Sequence, residues 1–80
     1  MRNERQFLSN PHIAAFLILY QIPIEYLEQN GFVFLAAPKT PEVDVLLSEF
    51  HDNVRVPVID FIAALQEVRN RINQAKREAR

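Results

Sequence analysis

The stretch whose reading decides the fold is Glu25-Tyr26-Leu27-Glu28-Gln29-Asn30-Gly31-Phe32-Val33-Phe34-Leu35-Ala36-Ala37. Asn-Gly between two β-prone runs is the strongest short-range hairpin signal, because a type I′ turn needs positive φ at both central residues. Gly31 is the only glycine of the chain. A hairpin over residues 22–37 then has a defined register. Leu27 faces Phe34 and Gln29 faces Phe32 on one side, while Ile24 faces Ala37 and Tyr26 faces Leu35 on the other. Both sides are largely apolar, and residues 32–37 would be a hazardous exposed edge. A lone two-stranded hairpin is marginal in water. Three covers are open: a helix layer, the short segment Asn53–Val56 as a third strand, or a second chain.

Upstream of the hairpin, Met1 to Gln6 is polar, and residues 1–8 read as a flexible N-terminus. Ser9-Asn10-Pro11 starts a helix: Asn10 can cap it, and proline in the first helical position loses no needed donor. The helix that follows, His12 to Gln21, is apolar all round, which marks a buried element at the centre of the core. Pro23 stops it.

Downstream, Thr40-Pro41-Glu42 supplies a cap, a first-turn proline and a first-turn acid. Val43, Leu46, Leu47 and Phe50 fall at i, i+3, i+4 and i+7, one helical stripe. His51-Asp52-Asn53 reads as a turn, and Val56 before Pro57 is steered away from the helical region. From Pro57 to Arg80 no glycine or further proline interrupts a long helix with the stripe Phe61, Leu65, Val68, Ile72, Ala75, Ala79. It would span roughly 35 Å, against a radius of gyration of about 12 Å for a domain of this size. Residues 69–80 therefore read as an overhanging or frayed helix end. The expected fold is a single α+β domain over residues 1–80, with helices packed on one face of a small antiparallel sheet.

Composition narrows the function classes. The chain has 80 residues, 49% of them hydrophobic, which is ample for one small core and excludes disorder. With no cysteine it has no disulfide and no thiolate metal site, in keeping with a cytoplasmic setting. The apolar run Ile13–Tyr20 is far short of the ~20 residues of a membrane span. It follows Arg2 and Arg5 as a signal-peptide core would. Glu4, Pro11 and the lack of a small-x-small cleavage site point instead to a soluble protein. The net charge is −1, so general affinity for nucleic acid or anionic membrane is not expected. The balance is uneven, however. Residues 66–80 hold five cations and two acids, a net of +3, which leaves −4 for the other 65.

Catalytic chemistry finds no constellation. His12 and His51 lie on different elements without a partner at metal-ligand spacing. His51-Asp52 at a helix end has an ordinary explanation in the helix dipole. One glycine cannot build a phosphate-cradling loop. No catalytic, cofactor-binding or metal residue, no cofactor and no small-molecule substrate is expected. The basic helix end offers Arg69, Arg71, Lys76, Arg77 and Arg80 as candidate nucleic-acid contacts. Cations near a helix C-terminus are also favoured by the macrodipole alone, and no aromatic residue beyond Phe61 is present to stack on bases.

For self-association the candidates are Val33 and Leu35 on the hairpin and Val68, Ile72 and Ala75 on the long helix. As a coiled coil, Leu65, Ile72 and Ala79 take a positions and Phe61, Val68 and Ala75 take d. In a parallel dimer Arg71 would then face Lys76 of its mate, a repulsive pair. The seam is also shorter than three to four heptads and weakens to alanine, so a free-standing coiled coil is the weaker reading.

From Asn10 to Ile72 the layout resembles a family of short bacterial and phage-associated domains of unknown function. The pieces that carry the resemblance are Ile13-Ala14-Ala15-Phe16-Leu17, Phe32-Val33-Phe34, Glu49-Phe50-His51, Val54-Arg55-Val56-Pro57 and Phe61-Ile62-Ala63-Ala64-Leu65. The resemblance implies an α/β arrangement of hairpin and helices and transfers no catalytic residue. The chain departs from it at Gln21-Ile22-Pro23, where a glycine is expected after the first helix. The functional expectation is a non-enzymatic protein–protein interaction or dimerisation module, a homodimer. The alternative is a small accessory nucleic-acid-binding protein using the basic helix end.

Overall fold

Asn30 and Gly31 turn the chain with φ of 54° and 84°, and the Gly31 amide donates to the Glu28 carboxylate at 2.7 Å. The computed structural model describes residues 4–78. Its elements run β1 (Arg5–Leu8), α1 (Pro11–Leu19), β2 (Glu25–Gln29), β3 (Phe32–Pro38), α2 (Pro41–His51) and α3 (Val58–Glu78). The hairpin register is the one the turn dictates: Tyr26 opposes Leu35, Leu27 opposes Phe34 and Gln29 opposes Phe32. The fold is α+β.

The third strand is β1, not Asn53–Val56. Arg5–Leu8 pairs antiparallel with β3, Phe7 against Ala36 and Leu8 against Leu35, giving the sheet order β1-β3-β2. The expectation of a flexible segment over residues 1–8 is corrected for residues 5–8. Residues 1–3 lie outside the described chain. The physical reason is the hazard already noted: β3 is apolar on both sides, and β1 covers the backbone edge that β2 leaves free. Residues 54–57 form no strand and lead directly into α3. Because β1 and β2 both run antiparallel to β3, they point the same way, and α1 carries the chain from one to the other.

Both helix starts follow the side-chain signals. Asn10 Oδ1 accepts from the Ile13 amide at 3.1 Å, and Thr40 Oγ1 accepts from the Val43 amide at 3.2 Å. The helix ends are less visible in the sequence. α1 stops before Pro23, with Gln21 at φ 62°. The Ile22 amide donates to the Leu17 carbonyl and the Gln21 amide to the Ile18 carbonyl, a Schellman closure. α2 ends the same way at Asn53, φ 61°, with Val54 donating to Glu49 and Asn53 to Phe50. The glycine missed after α1 is thus missing at a left-handed position that Gln21 occupies at some strain.

α1 lies at the centre. Ile13, Phe16 and Leu17 pack with Val43 and Leu46 of α2 and with Ala37. On its other side Ala14 and Ala15 meet Leu35 and, on α3, Ala64 and Val68. Alanine is what lets α3 approach this closely. α3 is 21 residues long, about 32 Å, in a molecule measuring 38 × 36 × 17 Å. Ile72, about four turns into the helix, still packs against the second core cluster. The overhang expected for residues 69–80 is therefore corrected as far as Ile72. Residues 79–80 lie outside the described chain.

Candidate interaction surface

Strand alternation divides the sheet into two faces. Gln6, Leu8, Ile24, Tyr26, Val33, Leu35 and Ala37 lie toward the helices. Arg5, Phe7, Glu25, Leu27, Gln29, Phe32, Phe34 and Ala36 lie away from them. No helix covers this second face. Phe7, Phe32 and Phe34 are 66%, 68% and 45% exposed. Phe7 and Phe34 meet edge-on with ring centroids 6.3 Å apart. Phe7, Leu27, Gln29 and Phe34 enclose a shallow hollow of about 350 Å³. Among the described residues of the strands, the only charged side chains on this face are Arg5 and Glu25. Arg5 Nε reaches across β3 to Glu25 Oε1 at 3.3 Å, joining the two outer strands. Half exposed at both ends, such a pair adds about 0–1 kcal/mol.

The self-association residues expected from the sequence sit on the other side. Leu35 is buried and Val33 is half-buried beneath the helices; Val68 is wholly buried, and Ile72 packs beside it. These residues hold the chain's own core together, so a second copy cannot use Leu35 or Val68. Ala75 lines a groove between β2 and α3 instead. What the sequence reading missed was which face of the hairpin is covered, together with Phe7. The pairing of Leu27 with Phe34 and Gln29 with Phe32 groups the residues of the open face, but with both faces apolar it does not say which one the helices leave open.

The cations of α3 divide between two sides of the helix. Arg71 turns onto the sheet, its guanidinium 5.0 Å from the centroid of the Tyr26 ring. Arg69 and Lys76, seven residues apart, share one exposed face of the helix with Arg77 beside it, and Arg80 lies outside the described residues. Burial pushes the Tyr26 phenol above its ordinary value; Arg71 pulls it back and Glu67 pushes it further up. Tyr26, Arg71, Gln74 and Glu78 line an open groove of about 520 Å³ along the free edge of β2.

A second apolar area lies at the start of α3, where Val58, Ile59 and Ile62 are exposed beside Val54. Next to it, Phe16, Phe50, Val56 and Phe61 line a cleft with His51 at its rim. The Phe16 and Phe50 rings are 5.5 Å apart. The exposed side chains of this area are aliphatic, whereas those of the sheet face are aromatic. Among the described residues no polar or charged side chain is buried. Among the described residues no three metal-ligating side chains come together, and no helix is long and apolar enough to cross a membrane. The chain matches no protein-family model, and no curated protein or solved structure is significantly similar to it.

Proposed function

We propose that this chain is a non-enzymatic protein–protein interaction module whose working surface is the open face of its sheet. The observation that carries this reading is the exposure of three phenylalanines on one face of the sheet. Together these residues leave roughly 350 Å² in contact with water. Patches of that size on a monomer are often functional, and aromatic residues dominate binding energy at interfaces. A cost attaches to keeping such a face open, since it invites aggregation, and a partner would remove that cost.

Nucleic-acid binding through α3 is the second reading from the sequence. Arg69, Lys76 and Arg77 share one side of the helix, but Arg71 is engaged with Tyr26 and no aromatic residue beyond Phe61 is present to stack on bases, so this reading has less support.

Site-specific photo-crosslinking in cells that produce the protein tests the proposal. A photoreactive residue at position 34 should give a discrete protein adduct, and one at position 59 should not. An adduct from position 59 alone, or none from position 34, would overturn it.

A further inference from the structure

The open face carries a projection and a hollow side by side. Phe32, 68% exposed, stands at the hairpin end of the face and is not part of the lining of the hollow between Phe7, Leu27, Gln29 and Phe34. A surface that holds both a knob and a socket meets the requirement of a two-fold contact, in which residue i touches residue j and j touches i. The charges agree with this. Arg5 and Glu25 already neutralise each other on the same face, so two copies can meet without like-charge repulsion. A face shaped for a strongly charged partner would carry unbalanced charge.

The area also suits a second copy. The three phenylalanines from each of two chains contribute at most roughly 700 Å². With Leu27, Gln29 and the Arg5–Glu25 rim the total approaches about 1,200 Å², the lower end for stable interfaces. Sheets that pack face to face settle about 10 Å apart with their side chains interdigitated. The competing edge-to-edge route through β2 is disfavoured, because that strand is five residues long and carries Glu25 and Glu28. A short edge strand that carries charged side chains is guarded against such pairing.

We infer that a second copy of this chain covers the open face about a two-fold axis, with Phe32 of each protomer seated in the Phe7–Leu27–Gln29–Phe34 hollow of the other. This rests on the reading of the open face as the working surface and adds the identity of its occupant. Each hollow is incomplete until the other copy supplies its ring.

Light scattering and sedimentation equilibrium on the purified full chain, across micromolar concentrations, test the inference. The expected mass is twice 9.3 kDa. Phe32→Ala should weaken the dimer roughly tenfold or more, and Phe34→Lys should leave monomer. Ile59→Lys should leave the dimer intact, and circular dichroism should confirm that every variant is folded. A monomer at all concentrations, a dimer indifferent to both phenylalanine changes, or a dimer broken by Ile59→Lys would overturn the inference. A monomeric wild type that still gives a discrete adduct with a different protein from position 34 removes only the second copy as occupant. A monomer without any adduct removes the interaction surface as well.

Discussion

The ring of Phe7 meets the ring of Phe34 at an interplanar angle of 74°, tying a four-residue strand near the start of the chain to the central strand of the sheet. Beside this pair, Leu8 turns the other way and packs into both core clusters. β1 is therefore part of the fold on both of its faces. Leu8→Ala should lower stability by about 1–2 kcal/mol, and Leu8→Asp by more, because it places a charge against the core. Urea denaturation monitored by circular dichroism measures both. Unchanged midpoints would mean that residues 5–8 contribute nothing to the sheet.

At Gln21 the backbone is left-handed, φ 62°, in a closure that glycine adopts without strain. Gln21→Gly should raise stability by roughly 0.5–1 kcal/mol. Gln21→Val should lower it, since a β-branched side chain is least tolerant of that conformation. The urea midpoints of the three proteins should fall in the order Gly, Gln, Val.

Val68 and Ile59 occupy the same helix and have opposite surroundings. Val68 is fully buried, whereas Ile59 is 73% exposed. Val68→Ala should cost roughly 2 kcal/mol by leaving a cavity between α1 and α3. Ile59→Ser should change stability by no more than about 0.5 kcal/mol. Thermal and urea unfolding of the two variants separates the core half of the stripe from its exposed beginning.

Tyr26 gives the fold a pH dependence at the alkaline end. Burial raises its phenol above the ordinary value of 10.0, so the folded chain keeps the proton where the unfolded chain has begun to lose it. The stabilising contribution is complete below pH 10 and is lost as pH rises through the higher folded value. Arg71 opposes that rise, so Arg71→Gln should move the phenolate absorbance titration to still higher pH. The same change removes the contact with the ring, a loss of about 0.5–1 kcal/mol at neutral pH. A titration that moves down, or does not move, would contradict the placement of Arg71 over Tyr26.

What the sequence by itself determined is whatever depends on near neighbours. Asn30-Gly31 sets the hairpin and its register through the φ angles of two residues. Asn10 and Thr40 start helices because their side chains reach an amide only three residues on. The all-apolar run of α1 places it in the core whatever surrounds it. Tertiary structure alone decided which partners lie far away. Arg5–Leu8 is too short for a period of two to stand out, and it becomes a strand only because β3 offers it an edge. Both faces of the hairpin are apolar, so alternation fixes which residues share a face but not which face the helices cover. The docking of α1 and α3 made that choice. It buried Leu35 and Val68 and left Phe7, Phe32 and Phe34 facing water. The close approach of those helices rests on Ala14, Ala15 and Ala64, whose small side chains acquire meaning only when the helices meet.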